Sequence, residues 1–440
     1  MFWYSYRGLE PHLQRAHAGH TQLDDLGPAI GRGAVWMRED VTADEVSDPY
    51  LFAGCNRRGL HLSHSGKEPW KVIIETGSPG ELWTKHSEVS VSGYAFISFD
   101  PNTLGEWIRL RSINSTQQAC AAFTYRNFVN QSNRAAIFAG LARLGYAAGG
   151  GIVMARDKNV KTLSFAAITP DGKPGSYYEL DASLQLKRVD DPETDAFTRK
   201  HAAIPSGYLT SDAASVLFTD DDGKRWRLPK GDAAFDSPRF GGARIAREVA
   251  TERDLLNAHG TFYELPANNA GGIAKIRPVA THNRLVHDFC AYRGLLVMSG
   301  IVDKSPSATA SNPHILHADD GKAALWAGAI DDIWKLGKPR GQGGPWHQTQ
   351  VKAGEASDPY LITGYDKKTL QLRFGDPKND SLHVTAQTDI HGDGTWVDYK
   401  TFLLENGETI GHEFPEAFSA YWIRFVSDED TTATASLIYR

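Results

Sequence analysis

An internal duplication constrains the fold of this 440-residue chain more than any other feature of its sequence. The stretch SDPYLFAG begins at Ser47, and the closely related SDPYLITG begins at Ser357. The similarity extends in both directions, so the duplicated unit is about a hundred residues long and covers about 24–126 and 331–440. Repetition on this scale is typical of architectures that stack one structural unit or repeat it around an axis.

The hydrophobic pattern predicts strands through most of the chain. Segments such as WKVIIETG, YAFISFD and LHVTAQTDI alternate apolar and polar residues with period two. Asp-Gly turns separate many of these segments, and glycine adopts the positive φ of hairpin turns without steric cost. Helical patterns are few: the best is AREVATERDLLNAHG (246–260), followed by AIDDIWKLG.

One hairpin carries a more specific signature. TDDDGKRW (219–226) resembles the Asp box of sialidase-type propellers, in which an Asp binds turn N–H groups and a Trp covers the blade. HGDGTW and ADDGKAALW are looser versions. We therefore predict that the acidic residues of these turns are structural and take no part in catalysis.

These patterns predict an all-β fold, for which a sandwich, a barrel and a propeller are the candidate architectures. The repeated hairpins favour the propeller. Each duplicated unit contains six or seven strand-like runs, close to two four-stranded blades, and about two hundred residues lie between the units. The total is roughly seven blades. We predict a single-domain seven-bladed β-propeller over residues 1–440, in which both SDPY strands lie near the closure of the ring.

Composition narrows the function classes. The net charge is -6 and no basic tract occurs, which argues against a nucleic-acid partner. No apolar run is long enough for a membrane helix, so we expect no membrane partner. Three widely spaced cysteines (Cys55, Cys120 and Cys290) suggest neither a disulfide framework nor a zinc site. We expect them to be small buried hydrophobic residues.

The second half of the chain resembles a known family. The similarity rests on HGTFYELP, GGIAKIRPVATHNRLVHDFCAYRGLLVMSGI, DDIWKLGKPRGQGGPW and SDPYLITGYDKK, and it covers about 258–440. Through the duplication it also covers 24–126. These segments resemble seven-bladed propellers active on plant arabinogalactan, which include L-rhamnose-α-1,4-D-glucuronate lyases and related α-L-rhamnosidases.

The resemblance implies an oligo- or polysaccharide substrate and an extracellular or periplasmic location. The first residues, MFWYSYRGLEPH, show no signal-peptide pattern, so a cytoplasmic location stays open. Members of the family use different faces of the propeller for different chemistry. No catalytic residue is therefore carried over from the family to this chain.

The duplication also separates structural residues from candidate site residues. Polar residues present in both copies, such as Asp48 with Asp358 and Arg109 with Arg424, are expected to serve the fold. Polar residues outside this shared set are better site candidates. The candidates for proton transfer are His17, His20, His259, His282 and Tyr263, and those for substrate binding are Arg284, Asn283, Arg340, Arg239 and His12.

The residue types suggest a reaction. Histidine transfers protons near neutral pH, and arginine binds a carboxylate with two parallel hydrogen bonds. β-Elimination from a uronate needs a cation for the carboxylate, a base and an acid. A typical glycosidase would show two carboxylates, whereas most carboxylates here are explained by turns or by the duplication. Each candidate also has a structural alternative, most plainly Tyr263, which could simply pack in the core.

Three hypotheses follow from these residues. The first is a polysaccharide lyase that cleaves a terminal rhamnose–glucuronate linkage. The second is an α-L-rhamnosidase or another glycoside hydrolase on a related glycan, and the third is a non-catalytic glycan-binding propeller. The natural glycan, exo or endo action, the oligomeric state and a divalent cation such as Ca²⁺ all stay open, because oxygen ligands leave little spacing pattern.

Overall fold

The computed structural model describes residues 29–78, 80, 82–127, 135–143, 148–156, 161–203, 209–236, 247–250, 253–302, 312–375 and 380–440. Strands dominate these residues, so the all-β class is confirmed. The α-helix α1, Pro192–His201, is accompanied by short 3₁₀ segments at Ala135–Phe138, Ala233–Phe235, Asn268–Ala270, Gly272–Lys275 and Ile330–Leu336.

The first copy of the duplicated unit folds into eight strands. They are β1 Ile30–Val41, β2 Tyr50–Leu51, β3 Arg57–Ser63, β4 Trp70–Gly77, β5 Thr84–Val91, β6 Tyr94–Phe99, β7 Trp107–Ser112 and β8 Thr116–Arg126. Their hydrogen bonds form two four-stranded sheets with the orders β1-β8-β3-β6 and β2-β7-β4-β5. Eight strands interleaved between two sheets in this way make a jelly roll.

Alternation along the strands explains how the two sheets pack. In β4, Trp70, Val72 and Ile74 are fully buried, while the residues between them are partly or fully exposed. They share one hydrophobic cluster with Leu60 of β3 and Phe123 of β8, which belong to the other sheet. Successive side chains of a strand point to opposite faces, so this pattern buries one face of each sheet against the other.

The second copy repeats this fold strand for strand. Its strands are β25 Gly341–Val351, β26 Tyr360–Leu361, β27 Lys368–Phe374, β28 Ser381–Asp389, β29 Val397–Glu405, β30 Thr409–Glu413, β31 Trp422–Ser427 and β32 Thr431–Tyr439. The sheet orders are β25-β32-β27-β30 and β26-β31-β28-β29, which match those of the first copy. The duplication predicted from the sequence is therefore a duplication of the jelly roll.

The residues between the jelly rolls form smaller antiparallel sheets. Their strands are β9 Ala148–Arg156, β10 Thr162–Ile168, β11 Pro174–Leu180, β12 Leu186–Arg188, β13 Leu209–Ser211, β14 Val216–Thr219, β15 Arg225–Leu228, β16 Arg247–Ala250, β17 Arg253–Ala258, β18 Thr261–Pro266, β19 Arg277–Thr281, β20 Phe289–Tyr292, β21 Leu295–Met298, β22 Ile301–Val302, β23 Ile315–His317 and β24 Ala324–Gly328. Sequence neighbours mostly pair here, as in β9 to β12 and β16 to β19.

The predicted seven-bladed ring is not detected in the described part of the chain, and only its all-β class is confirmed. The estimate of two blades per duplicated unit fails for a topological reason. A blade would place consecutive strands side by side, whereas each unit pairs its first strand with its last. The middle sheets keep a mostly consecutive order, but β15 joins β26 in parallel and so extends a sheet of the second jelly roll.

Two helix predictions have different outcomes. The segment 246–260 was expected to be helical, but β16 and β17 form an antiparallel hairpin there, and β17 also pairs with β18. The pairing of these strands with one another and with β18 outweighs the helical pattern of the segment. The segment AIDDIWKLG does contain a helical turn, the 3₁₀ segment Ile330–Leu336.

The Asp-box-like hairpin behaves as a structural turn. Asp220 Oδ1 accepts hydrogen bonds from the backbone N–H groups of Asp222 and Lys224, at 3.2 and 2.8 Å. Its Oδ2 accepts the indole N–H of Trp226 at 2.8 Å. The acid thus fixes the turn and orients the tryptophan. Cys120 and Cys290 are buried as expected, whereas Cys55 is only half-buried.

A buried ion pair connects the two jelly rolls. Arg126 at the end of β8 donates to the Asp366 carboxylate and, at 2.7 Å, to the carbonyl of Tyr365. The two charged side chains are 7% and 9% exposed. A charge buried this deeply depends on its partner, because the desolvation cost is not recovered when the partner is removed.

We predict that Asp366→Ala lowers the free energy of unfolding by about 3–5 kcal/mol, because Arg126 would remain buried without a counter-charge. Chemical denaturation with fluorescence detection measures the change. Asp430→Ala is the matched control, since Asp430 pairs with Lys352 on the surface and the two side chains are 61% and 66% exposed. That variant should lose less than about 1 kcal/mol. Equal losses would contradict the assigned role.

Candidate functional site

Two clefts lie at equivalent ends of the two jelly rolls. The first, the arginine cleft, has a volume of about 230 Å³. It is lined by residues of both jelly rolls and of the middle region, among them Arg32, Arg126, Arg277, Trp334, Thr363 and Tyr421. The second, the His259 cleft, has a volume of about 180 Å³ and includes Asp232, Asp236, His259, Arg340, Gln342 and Tyr439.

The strand registers show that these clefts correspond. In the first copy Arg32 on β1 lies opposite Thr124 on β8. In the second copy Gln342 on β25 lies opposite Ile438 on β32. The duplication places Arg32 and Gln342 at the same position of the two jelly rolls. The same structural position is therefore cationic in one copy and neutral in the other.

Arg32 is the central side chain of the arginine cleft. Its Nη2 donates to Thr363 Oγ1 at 2.6 Å and to Ser419 Oγ at 2.9 Å, and its guanidinium carbon lies 4.3 Å from the ring centroid of Tyr421. Burial lowers the pKa of Arg32, and the charges of Arg277 and Arg126 lower it further. No carboxylate among the described residues forms an ion pair with it.

The local sequence allows this placement of Arg32. Gly33 follows it, and a Cβ atom at that position would meet the Tyr50 hydroxyl at 2.6 Å. Glycine therefore makes room for the Tyr50 ring, which stacks on Phe123 inside the jelly roll. The neighbouring Arg32 extends instead to Thr363 and Ser419 of the second jelly roll.

The other cations of this cleft have anionic partners. Arg126 pairs with Asp366, and Arg277 pairs with Glu264. Lys275, beside the cleft, donates to a backbone carbonyl, and its Nζ lies 5.2 Å from the ring centroid of Tyr421. The cleft thus presents one guanidinium without a counter-charge, on which an anionic group of a ligand could bind.

The His259 cleft has a different chemistry. The Nε2 atom of His259 lies 3.1 Å from Asp236 Oδ1, and Arg340 Nη2 lies 3.0 Å from Asp232 Oδ2. His259 and Arg340 are therefore both engaged by neighbouring carboxylates. Burial lowers the pKa of His259, and Asp236 opposes that effect. The Nδ1 atom is buried without a hydrogen-bond partner, so it faces the protein interior.

A tight turn fixes the position of His259. His259 and Gly260 connect β17 to β18, where Ala258 pairs with Thr261. Their φ angles are 47° and 76°, as a two-residue type I′ hairpin requires. A Cβ at position 260 would meet Phe235 at 2.5 Å, so glycine is needed there for packing as well.

The remaining described candidates lie in the protein interior and contact the backbone or the core. His282 Nδ1 accepts the backbone N–H of Arg284 at 3.0 Å, and burial lowers the pKa of His282 to about 3. The Tyr263 side chain is completely buried in the hydrophobic core, and burial raises its pKa. Arg284 donates to the carbonyl of Leu141 at 2.9 Å. None of the three lines either cleft.

The other five predicted residues lie outside both clefts or outside the described part of the chain. Asn283 is half-buried on the connection after β19 and lines neither cleft. His12, His17, His20 and Arg239 lie outside the described residues. Of the predicted residues, the structure therefore brings together His259 and Arg340. His282 lies behind the same hairpin, and all three residues pack near Phe235 or Thr281.

The arginine cleft was not predicted from the sequence, although one signal points to it. Arg32 has Gln342 as its counterpart, so it is a polar residue that the copies do not share, which was the criterion for a site residue. Arg126 failed that criterion because Arg440 occupies the matching position. Neither residue stands near another titratable candidate in the sequence. The pairing of β1 with β8 brings the two arginines together, and the contact between the jelly rolls adds Thr363 and Tyr421.

No group of three or more His, Cys, Asp or Glu side chains is arranged to hold a metal ion in the described part of the chain. None of its helices has the length and apolar composition needed to cross a bilayer.

Comparisons with known proteins do not identify a family. No family model and no curated protein matches the chain. Solved structures match only weakly. The PBSX exported protein XepA is 8% identical, with coverage of 95% of this chain and 88% of that one and a TM-score of 0.17.

Two further structures are equally distant. A glycoside hydrolase family 32 protein from Bifidobacterium adolescentis is 8% identical, covering 89% and 96% of the two chains with a TM-score of 0.16. The SPBc2 prophage-derived protein YomS is 10% identical over 23% of this chain and 95% of its own, with a TM-score of 0.20. Such scores carry no argument about fold or function. The fold and the clefts therefore define the protein only as a class: an all-β protein with two jelly rolls and a cationic cleft between them.

We predict a pH-dependent contribution of His282 to stability. Its pKa is lower in the folded state than in the unfolded state, so the unfolded chain binds more protons between pH 6.5 and about 3. The free energy of unfolding should therefore fall as the pH is lowered from 6.5 to about 3. His282→Asn should reduce the slope by about 1.4 kcal/mol per pH unit, measured by urea denaturation at several pH values. If the slope is unchanged in His282→Asn, then the pKa of His282 does not differ between the folded and unfolded states, which would contradict the prediction.

Proposed function

We propose that this chain binds a carboxylate-bearing glycan in the arginine cleft and cleaves it as a polysaccharide lyase. The substrate proposed is a terminal rhamnose–glucuronate linkage of an arabinogalactan-type glycan. The proposal joins the sequence resemblance to one structural observation, which is the Arg32 guanidinium that lacks an anionic partner. The proposal does not depend on a seven-bladed ring, because the cleft is formed by the two jelly rolls and the middle region.

The electrostatics of Arg32 support an anionic ligand. Its hydrogen-bond acceptors are the hydroxyl groups of Thr363 and Ser419 and the backbone carbonyl of Ile390, all uncharged, so its charge stays uncompensated. Two more arginines lower its pKa. A uronate carboxylate would accept bidentate hydrogen bonds from Arg32 and would relieve this repulsion. Trp334 and Tyr421 line the same cleft and offer the aromatic surfaces on which sugar rings commonly pack.

Tyr421 is the residue that we propose as the base of the elimination. Its ring lies between Arg32 and Lys275, at 4.3 and 5.2 Å from their charged groups. In the proposed step the Tyr421 phenolate removes the proton at C5 of the uronate. The electrons form a C4=C5 double bond, the C4–O4 bond breaks, and the phenol returns its proton to the leaving O4. Arg32 stabilises the negative charge that develops on the carboxylate.

The alternatives differ in what the cleft would need. A two-carboxylate glycosidase requires a pair of Asp or Glu residues on either side of the scissile bond. The described lining of the arginine cleft contains no Asp or Glu. Non-catalytic glycan binding is the stronger alternative, because jelly rolls also serve as lectin domains and a cleft of about 230 Å³ is small.

We predict that gum arabic gives a rise in ultraviolet absorbance when it is incubated with the protein. The unsaturated uronate left by elimination is conjugated with its carboxylate and absorbs where the substrate does not. Rhamnose release is measured in parallel, with and without EDTA. Rhamnose without the absorbance rise would indicate hydrolysis and overturn the lyase proposal. Binding without either product would favour a glycan-binding protein, and loss of the signal in EDTA would reveal a required divalent cation.

We predict that Arg32→Gln, which installs the residue found at the matching position of the second copy, weakens glucuronate-glycan binding by at least about tenfold. Tyr421→Phe should instead lower kcat by about a hundredfold or more while KM changes little. Isothermal titration and steady-state kinetics separate the two effects. Arg373→Gln is the matched control, because Arg373 is exposed on β27 and is not in the cleft. Unchanged binding by Arg32→Gln would exclude the arginine cleft.

A further inference from the structure

The duplicated SDPY segments have the same local structure in both jelly rolls. Ser47 Oγ accepts the backbone N–H of Leu110 at 3.0 Å, and Ser357 Oγ accepts that of Phe425 at 3.1 Å. Each segment leads into a two-residue edge strand, β2 or β26, which pairs with β7 or β31. The repeated sequence therefore forms the first of the four strands that each jelly roll contributes to this sheet.

The two edges differ in what lies beyond them. In the second jelly roll, β15 adds to β26 as a parallel strand. The backbone N–H of Arg227 donates to the carbonyl of Pro359 at 2.8 Å. The Asp358 carboxylate binds Arg227 Nε at 2.8 Å and Arg225 Nη2 at 3.0 Å. The Trp226 ring packs on Trp422 with a centroid distance of 4.6 Å.

Among the described residues, no strand adds to the corresponding edge of the first jelly roll. β2 is the outermost strand of its sheet in the described part of the chain. Leu51 is 54% exposed, whereas its counterpart Leu361 is 0% exposed. Asp48, the counterpart of Asp358, is exposed, and its carboxylate makes no hydrogen bond or ion pair with the described residues. Trp107, the counterpart of the buried Trp422, is half-buried.

We propose that the β2 edge is a docking site for an extended peptide of a partner protein, with a basic–aromatic–basic sequence. The chain itself shows the required chemistry, since Arg-Trp-Arg occupies the equivalent edge of the second copy. The partner strand would add in parallel, donate backbone N–H groups to the β2 segment and place an arginine on Asp48. Its aromatic side chain would cover Trp107 and Leu51. Strand addition to a free sheet edge is a common mode of peptide recognition.

Asp48 supplies the selectivity of this surface. The edge exposes main-chain groups that any extended peptide could pair with, so the backbone alone would not discriminate between sequences. A carboxylate at the start of the strand favours a cationic residue and disfavours an acidic one. The inference is independent of the glycan proposal, because none of the edge residues lines the arginine cleft.

The test uses the full chain and a fluorescein-labelled peptide with the sequence GKRWRLP, which is residues 223–229 of the chain itself. The chain is titrated into a fixed amount of the labelled peptide, and the fluorescence anisotropy should show saturable binding at chain concentrations up to about 1 mM. Asp48→Lys should weaken binding by at least about tenfold, and the peptide GKEWELP should then bind Asp48→Lys better than it binds the unmodified chain. Rescue by the charge-swapped peptide separates a direct contact from a folding defect.

Asp190→Lys is the matched control, because Asp190 is an exposed carboxylate in the middle region and its substitution changes the net charge equally. It should leave binding of GKRWRLP unchanged. Absence of binding up to that concentration would overturn the proposal. Binding that Asp48→Lys does not alter would also overturn it, since the peptide would then be replacing β15 on the second jelly roll or associating nonspecifically.

Discussion

The pairing of the first strand of each duplicated unit with its last strand is the constraint on which the rest of the structure depends. Ile30 pairs with Arg126, and Gly341 pairs with Tyr439, so each unit closes on itself across about a hundred residues. This closure forces the intervening strands into two sheets that share one core. It also places the ends of β1 and β8, and of β25 and β32, beside one another, and both clefts form at those ends.

One scaffold therefore occurs twice, and its two copies differ in their surroundings. At the cleft end, Arg32 faces Thr363 and Ser419, whereas Gln342 lies in a cleft where His259 and Arg340 already have carboxylate partners. In the other sheet of each jelly roll, β15 covers β26, whereas β2 is the outermost strand in the part of the chain that the structure describes. Duplication preserves the residues that hold the sheets together and frees equivalent positions for different roles.

The sequence predicts part of this structure because some signals are local. Period-two alternation gives the strands, and Asp220 with its neighbours gives the turn. The sheet order could not be predicted, because it depends on pairing between distant segments and β2 is only two residues long. Helix α1 was not predicted, although the sequence contains local signals for it: Asp191 caps its N-terminus and Pro192 begins it. Among the candidate residues, His282 could not be distinguished from a catalytic histidine by sequence, because the burial that lowers its pKa depends on tertiary packing.

The arginine cleft shows why the site escaped a search for clustered motifs. Arg32 and Tyr421 are separated by almost the whole chain, and they meet because the Arg126–Asp366 pair and the contact between jelly rolls bring the two copies together. Loss of that contact would separate the cation from the aromatic ring without changing either residue. Asp366→Ala should therefore weaken glycan binding even under conditions where the chain stays folded, whereas the surface control Asp430→Ala should not. Such coupling would distinguish a cleft built by the junction from one contained within a single jelly roll.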